Sequence, residues 1–146
     1  MKRLFRIGLV FWLTGIFLLP GKASAQCQLL LYVDNVTASQ GNIMLAVFAK
    51  ADGFPQDEKK AIKLQVVPAG KGIQKIDLGS FPRGKYAIAV YHDANKDGKL
   101  NTNRFGIPVE GYAFSNNVRG YFGPPDFEDA ALVLEGKKEL RVALVY

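Results

Sequence analysis

An oxygen-rich segment follows an apolar run near the middle of the chain. Acidic and amide side chains stand there at alternate positions, and Gly98 comes directly after the third of them. Calcium takes about six to eight oxygen ligands, and this spacing is that of the first half of a calcium loop. The segment 93–101 therefore predicts a weak calcium site. Its candidate ligands are Asp93, Asn95, Asp97, the Lys99 main-chain carbonyl, Asn101 and, further along, Glu110.

The second half of this loop departs from the calcium pattern. A helix-loop-helix calcium site closes with an acid at the twelfth position, where this chain has the cation Arg104. Glu110 is the nearest carboxylate downstream, and it would have to close the shell. The alternative is a loop without metal, because Asn, Asp and Gly are also the residues that turns require.

The single histidine allows a second hypothesis. His92 would act as a general base, with Glu110 or Asp93 orienting it and Ser115 as the nucleophile of a hydrolase. The alternative is a histidine at the end of a strand that forms hydrogen bonds with the loop. A zinc or iron site made of several histidines is excluded, since the chain has only one.

Aromatic and amide side chains cluster just after this loop. Exposed rings beside such amides stack on sugars or contact a protein partner, although rings of this kind also close the end of a β-sandwich. The predicted binding residues are His92, Tyr112, Phe114, Ser115, Asn116 and Asn117.

Short apolar or alternating runs separated by turn residues make up the chain after residue 25. No segment keeps a helical period over the ~10 residues that a stable helix needs. The pattern predicts an all-β domain, a single antiparallel β-sandwich of about seven strands, immunoglobulin-like or transthyretin-like. The candidate strands are Gln28–Val36, Ile43–Ala49, Ala61–Val67, Ile73–Leu78, Tyr86–Tyr91, Glu128–Leu134 and Glu139–Tyr146. Val109–Ser115 is either a further short strand or an ordered excursion of the chain. Predicted core residues are Ile43, Leu45, Val47, Ile88, Val90, Val142 and Leu144.

The first 25 residues have the features of a signal peptide. A basic start is followed by the apolar run 7–19 and by Ala23-Ser24-Ala25, a small-x-small cleavage pattern. We therefore expect two regions, a signal peptide at 1–25 and a β-sandwich domain at 26–146, with no membrane span after cleavage. Removing the signal peptide takes away four cations and no acid, so the formal net charge falls from +6 to +2. Such a balance, without a basic stripe, argues against nucleic acid as a partner.

The central motifs resemble those of a bacterial family. The segments that carry the resemblance are Gly84-x-Tyr86-Ala-Ile-Ala, His92-Asp93-x-Asn95, Gly106-Ile-Pro108-x-Glu110, Phe114-Ser-Asn-Asn117 and Gly123-Pro-Pro. Together they resemble the bacterial domain of unknown function 2141 family, over essentially the whole chain after residue 25. The resemblance implies a small exported protein of β-sandwich type and brings no catalytic residues with it. Locally, Asp93 to Gly98 is also similar to the calcium loops of bacterial surface-adhesin repeats, which have an acid where Arg104 stands.

These observations predict a periplasmic or secreted protein that is not an enzyme. It would bind an unknown ligand or protein of the cell envelope, or have a structural role, centred on residues 92–117. Calcium is the one cofactor that the sequence suggests. The hydrolase hypothesis and a scaffold or assembly subunit with a purely structural loop are the alternatives.

The first prediction concerns processing. Because Ala23-Ser24-Ala25 follows an apolar run, we expect the mature protein to begin at Gln26. Mass spectrometry of the cell-envelope and extracellular fractions measures this directly. Molecules that begin mainly at Met1 would contradict the prediction.

Overall fold

The computed structural model describes residues 26–146. The predicted signal peptide at 1–25 lies outside these residues. Eight strands make up nearly half of the described chain. They are β1 (Gln26–Val36), β2 (Asn42–Phe48), β3 (Lys63–Pro68), β4 (Gly72–Pro82), β5 (Gly84–Asp93), β6 (Tyr112–Phe114), β7 (Leu132–Leu134) and β8 (Lys138–Ala143). The predicted all-β sandwich is confirmed.

In the part of the chain that the structure describes, helical structure is limited to three short segments. Two are single 3₁₀ turns, Glu58–Lys60 and Ser115–Asn117, and the third is the four-residue helix α1, Phe127–Ala130. The first half of the predicted strand Glu128–Leu134 is therefore helical, and the prediction is wrong there. One helical turn places both Phe127 and Ala130 against the sheet, where they are buried. Within residues 26–146, no helix has the length and apolar character needed to cross a membrane.

The strands form two sheets. The smaller sheet has the order β4-β1-β8, and the larger has the order β3-β2-β5-β6. Strand β7 pairs with the first residues of β5, and β6 pairs with a later part of the same strand. Strand β5 is therefore central in the larger sheet, with β2 along one side and β6 and β7 in sequence along the other.

One strand pair is parallel. Strand β8 runs parallel to β1, with Leu31 opposite Leu140, whereas all other pairs between named strands are antiparallel. After β8 the chain crosses to the larger sheet, where Val145 forms a bridge with Tyr112. The last residues of the chain thus connect the two sheets at one end.

The main core lies between the two sheets. In β5, Tyr86, Ile88 and Val90 point inward, which agrees with the predicted alternation. The seven predicted core residues are all buried, none with more than 3% of its surface exposed: Ile43, Leu45, Val47, Ile88, Val90, Val142 and Leu144.

A second apolar layer covers part of the outer face of the larger sheet. Small side chains such as Ala46 of β2 and Ala87 of β5 lie on this face and allow close packing. Phe54, from the loop between β2 and β3, contacts three rings edge-on, at centroid distances of 5.4, 5.9 and 5.9 Å. Those rings belong to Phe48, Phe114 and Phe127.

The second prediction concerns the main core. Ile88→Ala removes a fully buried side chain, and we expect it to lower the free energy of unfolding by about 2–5 kcal/mol. The matched control is Ile73→Ala, since Ile73 is 62% exposed, and we expect a loss below about 0.5 kcal/mol. Urea unfolding followed by circular dichroism measures both. Equal losses in the two variants would contradict the packing described above.

Candidate functional site

The acidic loop begins where β5 ends. Asp93 is buried, and its carboxylate accepts hydrogen bonds from the backbone N–H groups of Asp97 (3.2 Å) and Gly98 (2.9 Å). A buried carboxylate is stable when backbone donors satisfy its oxygens. Asp93 therefore folds the loop back on itself, and Gly98, at φ 76°, adopts the left-handed conformation that the turn requires.

Glu110 connects the two ends of the long segment between β5 and β6. One carboxylate oxygen accepts the N–H of Ala94 and the other accepts the N–H of Asn101, both at 2.9 Å. Only 8% of Glu110 is exposed. Both oxygens thus have backbone partners, and the residue predicted to close a calcium shell holds the loop to the end of β5.

The exposed part of the loop is organised by amide side chains. The Asp97 carboxylate accepts hydrogen bonds from the side chains of Asn101 (2.9 Å) and Asn95 (3.1 Å), and from the N–H of Lys99 (3.0 Å). The Asn101 hydrogen bond is the main reason why the pKa of Asp97 lies below its ordinary value. Asn95, Asp97 and Asn101, three of the candidate calcium ligands, are therefore close together.

Several candidate metal ligands of this loop already accept hydrogen bonds from the protein. Within residues 26–146, no group of three or more His, Cys, Asp or Glu side chains is arranged to hold a metal ion. One observation favours a bound metal ion. Asn101 Oδ1, an oxygen of the predicted ligand set, is buried and accepts no hydrogen bond within the described chain.

A tight hairpin extends from the acidic loop. The N–H of Val109 bonds to the carbonyl of Asn101, and the N–H of Asn103 bonds to the carbonyl of Ile107. The Asn103 side chain accepts the N–H groups of Phe105 (2.9 Å) and Ile107 (3.1 Å). These bonds fix the tip, where Phe105 and Ile107 are 73% and 59% exposed.

His92 and Ser115 lie apart and form structural contacts. The two ring nitrogens of His92 are 2.7 Å from the Gln40 carbonyl and 3.0 Å from the Tyr146 hydroxyl. Ser115 is fully buried; it accepts the N–H of Ile88 and donates to the Ala130 carbonyl. Ile88 is four residues before His92 on β5, so roughly 13 Å separates the two sites along the strand.

Asn116 and Asn117 also have structural contacts. Both adopt positive φ angles, and their side chains bond to backbone groups of distant segments. Asn116 donates to the carbonyls of Asp129 and Ala131, and Asn117 accepts the N–H of Ala143 in β8. These two amides hold α1 and the smaller sheet in place, and neither lines the groove described next.

A groove of about 930 Å³ lies on the outer face of the larger sheet, beside the aromatic layer. Its floor is formed by side chains of β5 and β6, including Ala89, Tyr91, Tyr112 and Phe114. Three segments form its walls: 55–59 before β3, 98–108 from the acidic loop and hairpin, and 120–124. Of the predicted binding residues, the structure brings Tyr112 and Phe114 to this groove.

Tyr91 connects the groove floor to two of its walls. Its hydroxyl is 3.1 Å from the Gly98 carbonyl and 3.4 Å from a carboxylate oxygen of Glu58. Burial raises the pKa of the Tyr91 phenol, and the nearby carboxylates of Glu58, Asp93 and Glu110 raise it further. Tyr91 therefore remains a neutral hydrogen-bond donor at the junction of these segments.

Several groove residues were absent from the sequence-based prediction. The sequence predicts Tyr91 only as the last residue of a strand and predicts no role for the wall 55–59. Tyr121 and Phe122 could have been found in the sequence, since two aromatic residues stand there between Gly120 and Gly123. In the structure they are about fully exposed, at 98% and 106%. Phe105 and Ile107 could have been found in the same way, because they are large apolar residues on either side of the turn residue Gly106.

Comparison with known proteins assigns the chain to a family. A family model described as "Uncharacterized protein conserved in bacteria (DUF2141)" matches residues 31–142. The chain belongs to the DUF2141 family. The match confirms the resemblance noted in the sequence, and it covers both sheets and the whole groove. No curated protein and no solved structure matches the chain.

The third prediction concerns Asp97 in this DUF2141 protein. Its pKa is lowered in the folded state, so the carboxylate stabilises the loop above its unfolded pKa of about 3.9, and this effect is lost as the pH falls through the folded value. Carbon-detected NMR titration should therefore give Asp97 a pKa below about 3.9. Asn101→Ala should raise it more than Asn95→Ala does, since the Asn101 bond has the larger effect. No change in either variant would contradict this assignment.

Proposed function

We propose that this chain is an exported, non-enzymatic binding protein. Its binding site is the groove on the outer face of the larger sheet, and its ligand presents an apolar or aromatic face. The observation that carries the proposal is the groove itself, with a floor of Ala89, Tyr91, Tyr112 and Phe114. Ligand sites in proteins are usually concave and apolar, with a few polar groups that orient the ligand.

The polar groups of the groove fit this role. The wall 55–59 brings Asp57, Glu58 and Lys59, and the wall 98–108 brings Lys99 and Thr102. An open depression between rigid walls supports ligand binding over a purely structural role, because a scaffold subunit would need no preformed groove. In this proposal the acidic loop supports the groove, since Asp93 and Glu110 hold one wall in position.

The contacts of the hydrolase candidates support a non-enzymatic role. Catalysis by a serine nucleophile needs a base within hydrogen-bond reach of the hydroxyl. Ser115 is instead bonded to Ile88 and Ala130, while His92 is bonded to Gln40 and Tyr146. Glu110 bonds only to backbone N–H groups of the acidic loop.

Export to the periplasm or the medium is part of the same proposal. It rests on the basic start, the apolar run and the small-x-small pattern of residues 1–25. A binding protein in the cell envelope would meet its ligand or protein partner there. The N-terminal mass measurement described above tests this part independently of the groove.

The fourth prediction tests the groove with a fluorescent probe. The aromatic anion 1-anilinonaphthalene-8-sulfonate should bind the folded protein, with increased fluorescence, because its rings fit an apolar floor. Ala89→Leu places extra methyl groups on that floor and should weaken binding by about tenfold, or about 1.4 kcal/mol.

The matched control for this experiment is Val133→Leu. It adds apolar volume at a strand position that is 51% exposed and outside the groove, so probe binding should stay as in the unchanged protein. Circular dichroism must show that both variants are folded, because partly folded states also bind such probes. Equal probe binding in all three folded proteins would contradict the groove as the binding site.

A second candidate function is calcium binding by the acidic loop. It is favoured by the buried Asn101 Oδ1, which accepts no hydrogen bond within residues 26–146. The bonds of Asp93 and Glu110 to backbone N–H groups favour the alternative, a loop that folds without metal. Calcium binding stays a prediction, with an expected Kd on the order of 10⁻⁴–10⁻³ M, as in extracellular modules.

The fifth prediction decides between these accounts of the loop. If calcium binds the native state, a hundredfold excess over Kd adds about 2.7 kcal/mol to stability, which raises the melting temperature. Magnesium should do less, because it requires a tighter octahedral shell. Asp97→Asn should remove the response, whereas Asp52→Asn, in another loop, should keep it. The same melting temperature in calcium and in chelator would leave the metal-free loop as the better account.

A further inference from the structure

Two loops on the rim of the groove present large apolar side chains to solvent. The hairpin tip carries Phe105 and Ile107, and the loop after the second 3₁₀ turn carries Tyr121 and Phe122. All four residues line the same groove, so the two loops border one depression. Large exposed apolar side chains grouped in this way usually mark a contact with another molecule or with a membrane.

Both loops hold their apolar residues in a defined position. The Asn103 side chain fixes the hairpin tip through the N–H groups of Phe105 and Ile107. In the second loop, Gly120 lies so close to its neighbour that an added Cβ would be 2.0 Å from the Gly123 carbonyl oxygen. Only glycine fits there, and this tight turn directs Tyr121 and Phe122 away from the protein.

Positive charge is concentrated in the same part of the chain. Residues 94–124 carry four Lys or Arg and two acids, whereas the rest of residues 26–146 carries eleven of each. One of the two acids, Glu110, is buried and bonded to backbone N–H groups. The Arg104 guanidinium lies 5.1 Å from the centre of the Phe105 ring, so charge and apolar surface are adjacent.

We propose that these two loops dock the protein on the surface of an anionic lipid bilayer. Phe105, Ile107, Tyr121 and Phe122 would enter the interfacial region, where aromatic side chains are favoured. Lys96, Lys99, Arg104 and Arg119 would lie at the level of the acidic headgroups, which attract basic side chains near the surface. The groove mouth would then open toward the membrane. This inference does not depend on the identity of the groove ligand.

Vesicle binding tests the docking proposal. The exported protein, with its N-terminus verified by mass spectrometry, should sediment with vesicles of phosphatidylglycerol mixed with phosphatidylcholine. It should sediment far less with phosphatidylcholine alone, and added salt should release it. Tyr121→Ser combined with Phe122→Ser should weaken binding by about tenfold or more, since each removes a large apolar surface. Arg104→Gln combined with Lys99→Gln should weaken binding to the anionic vesicles only.

A tryptophan reporter locates the contact. The one tryptophan of the chain is Trp12, so protein that begins at Gln26 contains none, and Phe122→Trp introduces a single reporter. Its emission should shift to the blue with anionic vesicles, and brominated lipid chains should quench it. Ile73→Trp is the matched control, at a position 62% exposed in β4 of the other sheet, and it should show neither change.

Distinct outcomes would overturn the proposal. Absence of binding to anionic vesicles would overturn it. Equal responses of the two tryptophan reporters, or unchanged binding by the Tyr121 and Phe122 double variant, would also overturn it. Retention on an insoluble cell-wall polysaccharide without vesicle binding would overturn it in favour of a sugar-binding rim. Ala89→Leu, which fills the groove floor, should leave vesicle binding unchanged, so failure of the groove proposal can be distinguished from failure of this one.

Discussion

The outer face of the larger sheet is apolar, and the need to cover it shapes most of the molecule outside the main core. Adjacent strands place Met44 beside Tyr91, and Ala46 beside Ala89, on this face. The aromatic layer around Phe54 covers one end of it. Part of the uncovered face forms the groove, whose floor includes the small side chain of Ala89 among larger aromatic neighbours.

The acidic loop and the hairpin beside the groove are held by hydrogen bonds within their own segment. Asp93, Asp97 and Asn103 each accept hydrogen bonds from backbone N–H groups two to five residues later. Glu110 joins this local structure to the end of β5. A wall built in this way needs no helix and no disulfide. Its hydrogen bonds also keep the large apolar side chains of the hairpin tip exposed to solvent.

His92, the candidate general base, forms hydrogen bonds that link distant segments of the chain. Its ring bonds to the Gln40 carbonyl and to the Tyr146 hydroxyl, which also accepts the N–H of Thr37. The Tyr146 ring lies against Gly111, where an added Cβ would be 2.4 Å from a ring atom. One histidine thus joins β5, the β1–β2 turn and the last residue of the chain, and the end of the sandwich closes around it.

Local patterns in the sequence determined the strands, the core residues and the position of the loop. Period-two alternation is a property of each strand alone, so Ile88 and Val90 could be assigned to the core without knowing what they contact. The turn character of residues 93–98 is local in the same sense, since Asp93 bonds to residues four and five positions away. The resemblance of the central motifs to the DUF2141 family was likewise readable from residues alone.

Tertiary structure decided everything that joins distant parts of the chain. Glu110 could be recognised as a candidate ligand for the acidic loop, but its bond to Ala94 spans 16 positions. The parallel pairing of β1 with β8 brings together residues 109 positions apart, as for Leu31 and Leu140. The groove needs Tyr91, Tyr112 and the wall 55–59 at one place. No short-range pattern encodes such contacts, because they follow from how the two sheets and their loops pack.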